Sequence, residues 1–290
     1  MKALRQVIEA VCARLLLFLF AMLSLDRASA LGGRLARTIG PRLAVSNIAR
    51  RNLAHAFSDK SLTEIEAIVH GMWDNLGRVA AEYTHLGEID VTDPRGRVEM
   101  VGIENVELLR DDRIGGIFFS AHLGNWEIAT LGATQNGLAL TQIYRPPNNP
   151  HMERLLSGLR APVGGINYPK GSAGAKALIL ALRRGEHIGM LIDQKLNEGV
   201  AVPFFGRDAM TAPALAQLAL RFSCPVVPVR VERLDGAHFR LTIYPPLSLA
   251  VSGDRQADIA AAMTEINALI ESWIRARPEQ WLWLHRRWPE

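Results

Sequence analysis

The sequence predicts an α/β fold: a mostly parallel central sheet flanked by helices, with a helical amino-terminal portion ahead of it. Three observations predict it. From Gly115 to Glu232, short apolar runs alternate with stretches at helical spacing, the pattern of strands joined by crossover helices. Two of those runs, Ile117–Phe119 and His187–Ile192, are almost wholly apolar, as strands covered on both faces are. Before Gly96 the periodic stretches are helical, so the sheet begins well into the chain.

Composition narrows the function classes. With 49% apolar residues in 290, the chain can bury a substantial core, and disorder is excluded. The net charge of +4 comes from scattered arginines, paired at Arg50-Arg51, Arg183-Arg184 and Arg286-Arg287. No block of five like charges occurs, so a nucleic-acid tail is not indicated. A surface of this kind suits anionic lipid headgroups or an acidic protein. Cys12 and Cys224 have neither zinc nor disulfide spacing, and a reducing compartment fits them.

The most hydrophobic window is 15–25, LLLFLFAMLSL. A basic start and Ala28-Ser29-Ala30 suggest a signal peptide, but the leader before the apolar run is long and carries Glu9. A spanning helix is short: these residues reach roughly 17 Å against a ~30 Å hydrocarbon core. An uncleaved anchor that dips into one leaflet or spans it marginally is the favoured reading. It covers residues 1–30, with a single domain over 31–290. Arg27, Arg34, Arg37, Arg42, Arg50 and Arg51 follow it, which places that domain on the cytoplasmic side.

The elements follow in order. Val45–Phe57 reads as an amphipathic helix with Arg50, Arg51 and His55 on its polar face, either on a membrane or simply solvated. Ser61-Leu62-Thr63-Glu64 is a capping box opening a helix whose stripe runs from Leu62 to Tyr83. A turn at Thr92–Gly96, a strand at Arg97–Val101 and a helix at Glu104–Arg110 lead to the central strand. After it come a helix to Asn136, a strand at Leu138–Tyr144, a helix at Asn149–Leu159 and a short strand before Tyr168. Then follow a helix at Ala175–Arg184, the strand at His187–Ile192, a helix at Ala212–Arg221 and a strand at Pro225–Glu232. Asp235-Gly236 joins that strand to His238–Tyr244 as a hairpin, and Asp254–Arg275 is a long helix. The last segment has Trp281, Trp283 and Trp288 beside Arg286-Arg287, either an interfacial belt or a tail docked on the core.

Candidate chemistry sits just past the central strand. Ser120–Gly124 breaks the apolar run, and His122 falls at the strand's carboxyl end, where open α/β sheets place ligands. Glu127 follows five positions on, inside the next helix. The turn can fold the imidazole back onto that carboxylate, which would fix its tautomer and stabilise the imidazolium, making His122 a general base. Alone, an H-x4-E spacing more often means a structural His beside a solvated Glu. Arg145 leaves the next strand where a guanidinium can hold an anion or make a salt bridge. Asp193-Gln194 ends another strand in the same way. Ser120 lacks the nucleophile-elbow pattern.

Five blocks in this order resemble the bacterial lipid A late acyltransferases, the lauroyl and myristoyl transferases. They are Ser120–Glu127, Tyr144-Arg145-Pro146, Asp193-Gln194, Val202–Gly206 with Thr211, and Trp281–Trp288; Asn52–Phe57 extends the likeness. The resemblance implies a glycerolipid-acyltransferase-like fold at the cytoplasmic face of the inner membrane. The donor would be an acyl-carrier-protein thioester. The acceptor would be the hydroxyl of a hydroxyacyl chain in a Kdo-bearing lipid A precursor. The family motif maps the catalytic pair onto His122 and Glu127, with Arg145 and the Asp193–Gln194 region lining the cleft. In that reading His122 deprotonates the alcohol, Glu127 holds the ring, amides around Leu123–Asn125 bind the oxyanion, and Arg145, Lys170 and Arg207 bind lipid phosphates or sugar carboxylates. The transfer needs no metal or redox cofactor. The alternatives are a related transferase with another glycolipid acceptor, such as a phosphatidylinositol mannoside, a thioesterase, and a non-catalytic membrane-surface protein that binds acyl carrier.

Overall fold

The computed structural model describes residues 2–111 and 114–288. The amino-terminal portion is helical: α1 (Lys2–Ala21), α2 (Leu25–Ile39), α3 (Ser46–Ala56) and α4 (Leu62–Glu82). The capping box forms as expected, Ser61 accepting from the Glu64 amide while the Glu64 side chain accepts from the Ser61 amide. Then come β1 (Val98–Val101), α5 (Glu104–Asp111), β2 (Ile117–Ser120), α6 (Glu127–Gln135), β3 (Leu140–Tyr144), α7 (Pro150–Arg160), β4 (Ile166–Pro169), α8 (Ser172–Arg183) and β5 (His187–Leu191). A hairpin of β6 (Lys195–Phe204) and β7 (Arg207–Thr211) precedes α9 (Ala214–Phe222), β8 (Val226–Asp235), β9 (His238–Ile243) and α10 (Arg255–Ala276).

Among the described residues, seven strands form one sheet in the order β1-β9-β8-β2-β5-β3-β4. Every pairing in it is parallel except β8 with β9, the expected hairpin. Successive residues of β2 serve opposite faces. Ile117 and Phe119 belong to one apolar cluster with residues of α4, α8, α9 and α10, and Phe118 belongs to a second with Ile128, Leu131 and Leu109. A strand committed to two cores has no room for polar residues, hence its composition.

The structure overturns one expectation, decides one open choice and adds one element. The first is the anchor. Among the described residues no helix is long and apolar enough to cross a membrane. The apolar run joins a helix that also holds Arg5, Glu9 and Arg14, and that helix ends at Ala21. The second is the carboxyl-terminal segment. Its tryptophans are not an interfacial belt, because Trp281, Trp283 and Trp288 are buried. Asn52 of α3 ties the segment down, donating to the Trp283 and The His285 carbonyls at 2.9 and 2.8 Å. The third is the β6–β7 hairpin, which the sequence pattern did not announce.

Candidate active site

Sheet register builds the site. β2 and β5 are neighbours, and Ser120 lies opposite Leu191. Two residues beyond those positions, His122 and Asp193 emerge side by side at the carboxyl edge of the sheet. The imidazole Nδ1 lies 2.8 Å from Asp193 Oδ1. Asp193 Oδ2 accepts from the Trp281 indole at 2.7 Å and from the His122 amide at 3.0 Å. The carboxylate is fully buried, whereas the imidazole keeps 18% of its surface exposed. Asp193 therefore fixes the ring at its Nδ1 edge, and no bond to Nε2 is made among the described residues.

The charges support each other. Burial works against the imidazolium, but Asp193, and then Glu127, outweigh it, so the His122 pKa lies above its ordinary 6.5. Burial would raise the Asp193 pKa, but His122 outweighs that and holds it well below the usual carboxylate range. Nearby His285 is pushed down to about 4, chiefly by burial, and stays neutral.

Glu127 is not the imidazole's hydrogen-bonded partner. α6 starts at Glu127 itself, and its carboxylate, 2% exposed, accepts from the Tyr83 hydroxyl at 2.6 Å and from Arg160 Nε at 3.1 Å. It reaches His122 only as a through-space charge. Burial is the largest influence on the Tyr83 pKa; with Glu127 it drives that pKa well above 10, so the phenol keeps its proton. Arg160, 26% exposed, lines the same cleft as His122. Sequence reasoning missed this residue: the last residue of an ordinary amphipathic helix carries no local mark.

The turn between His122 and Glu127 is held from several sides. Gly124 has φ +58°, and an added Cβ would stand 3.0 Å from the Val231 carbonyl, so glycine is required there. The Gly124 amide donates to the Gln280 carbonyl, Leu282 donates to the His122 carbonyl, and Asn75 donates to the Gly124 carbonyl at 3.0 Å. Asn125 donates to Glu82 at 2.9 Å, and Glu82 is paired with buried Arg233. These bonds overturn part of the expected oxyanion site. The Leu123 amide donates to the Ala121 carbonyl, and the Gly124 amide is spent on Gln280.

The other expected residues divide. Arg145 and Gln194 line the His122 cleft of about 480 Å³, together with Tyr144 and Ser157. Lys170 lies instead in an adjoining cavity of about 480 Å³, largely apolar, walled by Leu178, Ile179 and Leu218. The two cavities share Ile143, Gly189, Leu191 and Gln194. Arg207 lines neither; it sits on β7, close enough to His55 to depress its pKa, though burial is the larger cause. Among the described residues no group of three His, Cys, Asp or Glu is gathered to hold a metal ion.

A profile of the bacterial lipid A biosynthesis acyltransferases matches residues 2–290. The chain belongs to that family. It is accordingly an acyltransferase, and its relatives agree. It is 26% identical to a lipid A biosynthesis acyltransferase of Haemophilus influenzae over 81% of its own length and 73% of the relative's. It is 26% identical to the lipid A biosynthesis myristoyltransferase of Escherichia coli over 90% and 78%. It is 27% identical to the palmitoleoyltransferase of the same organism over 83% and 78%. In this acyltransferase His122 and Glu127 line one cleft, but Asp193 is the group bonded to the imidazole.

Proposed function

We propose that this acyltransferase moves a fatty acyl chain from an acyl-carrier-protein thioester to the hydroxyl of a hydroxyacyl chain in a Kdo-bearing lipid A precursor, working at the cytoplasmic face of the inner membrane. The observation that carries the reading is the His122–Asp193 pair at the mouth of a cleft that joins an apolar cavity. His122 Nε2 takes the hydroxyl proton as the oxygen attacks the thioester carbonyl, and Asp193 stabilises the imidazolium. The carbonyl oxygen gains the negative charge. Arg160, kept cationic and held by Glu127 in the same cleft, is the donor we assign to that charge. As the tetrahedral centre collapses the thiolate leaves and takes the proton back from His122. The apolar cavity suits a hydrocarbon chain, and Arg145 suits an anionic group of the acceptor. Membrane contact comes from α1, whose outward Leu4, Ile8, Leu15, Phe18 and Leu19 are exposed, as a helix lying on the bilayer rather than crossing it.

The test is transfer by the purified protein from a panel of acyl-carrier thioesters to a lipid A precursor, read by mass spectrometry. His122→Ala lowers turnover by ~10²–10⁴-fold. Transfer at the unsubstituted rate by His122→Ala overturns the mechanism, and thioester loss at equal rate without acceptor identifies a hydrolase.

A further inference from the structure

A further cavity lies on the far side of α7. It is a groove of about 470 Å³ between α1 and α7. α1 contributes Val7, Val11 and Arg14 at helical spacing, and α7 contributes His151, Arg154, Leu155 and Leu159. The groove is thus an apolar floor rimmed by cations. Neither Arg14 nor Arg154 has an ion-pair or hydrogen-bond partner among the described residues, and α1's one acid, Glu9, is taken by Arg5 at 2.7 Å. Uncompensated arginines beside apolar surface, on the helix whose outer face is bare leucine and phenylalanine, match a molecule with a phosphate at one end and hydrocarbon at the other. The floor also has spare room, since an added Cβ at Gly158 would meet nothing within 4 Å.

We propose that this groove seats one anionic phospholipid of the bilayer, its phosphate held by Arg14, Arg154 and His151 and the start of one chain lying on Val11 and Leu155. The proposal rests on the membrane-surface part of the function above and supplies its molecular contact. α7 gives it a structural consequence. One face of this helix lines the groove, and the opposite face, with Glu153, Ser157 and Arg160, lines the catalytic cleft. The seated lipid therefore sets the cleft at a fixed height above the headgroups.

The experiment measures binding of the full chain to phosphatidylcholine vesicles with and without phosphatidylglycerol. In parallel it measures acyl transfer from an acyl-carrier thioester in detergent micelles free of phospholipid. Arg14→Ala with Arg154→Ala weakens the phosphatidylglycerol-dependent binding by roughly 10- to 30-fold. Gly158→Phe, which fills the groove and spares the charges, abolishes the preference for phosphatidylglycerol over phosphatidylcholine. Transfer in micelles is unchanged in both. The charge-matched control Arg183→Ala with Arg184→Ala leaves the preference intact. An equal loss in that control, or an intact preference in Gly158→Phe, shows diffuse electrostatics and overturns the site. A raised KM for the acyl-carrier thioester or for the lipid A acceptor in micelles assigns the groove to a substrate and also overturns it. If unsubstituted protein binds these vesicles selectively yet transfers no acyl group, the acyltransferase reading fails while the lipid site stands.

Discussion

His122 and Asp193 carry opposite shifts because each is the other's main charge partner. The proposed general-base step needs neutral imidazole, so kcat/KM is expected to rise with pH through the raised His122 pKa, with the midpoint of its acid limb above 6.5. Asp193→Asn removes the charge that favours imidazolium, so the limb moves to lower pH while the rate at neutral pH falls by ~10²–10⁴-fold. Glu127→Gln behaves differently. It keeps the Tyr83 contact and frees Arg160, so kcat falls while the limb moves far less than in Asp193→Asn. A larger shift in Glu127→Gln than in Asp193→Asn would restore Glu127 as the imidazole's partner. The same pair links pH to stability. The His122 contribution is complete below about pH 6.5 and is lost as pH rises through the raised folded-state value. That of Asp193 is complete above about pH 4 and is lost as pH falls through its depressed value.

At the scale of elements, periodicity announced most of the helices and strands, because each buries one stripe or two faces. The β6–β7 hairpin escaped: Gly199, Pro203 and Gly206 interrupt its alternation, so it resembles a loop until it pairs. The partner of His122 escaped for another reason. Glu127 is near in sequence, but Asp193 is near because β5 pairs with β2 while β3 and β4 lie beyond it, and strand order is not written in local spacing. The packing of α2 on α4 shows the same limit. Gly32 and Gly77 sit where the helices touch, and a Cβ on either would overlap the other's carbonyl. Neither glycine is marked in the sequence as an interface. Gly77→Val separates the helices at a cost of about 1–3 kcal/mol, read as a lower thermal midpoint. A gain in midpoint sinks this reading of the contact. Ser29 on α2 also bonds Glu82 at 2.7 Å, so the shift reaches the Asn125 turn and lowers kcat as well.

For the whole molecule, the carboxyl-terminal segment is both core and scaffold. Trp281 and Trp283 are fully buried, and Trp281 holds Asp193. Trp281→Phe keeps the burial and removes one charge-assisted bond, at a cost of about 1.5–3 kcal/mol in stability, and it lowers kcat with little change in KM. Ending the chain after Arg277 uncovers the apolar cluster that the tryptophans close and eliminates the cooperative melting transition in calorimetry. A shortened protein that melts at the full-length midpoint shows the segment to be dispensable.

Dependence on the Gln280–Trp283 strip gives catalysis an order in time. His122 and Asp193 are synthesised well before Trp281, yet the indole that steadies the carboxylate, and the amide of Leu282 that fixes the backbone of His122, come only afterwards. A growing polypeptide thus lacks the His122–Asp193 alignment until that strip has emerged and docked, so the proposed base is not in place before then.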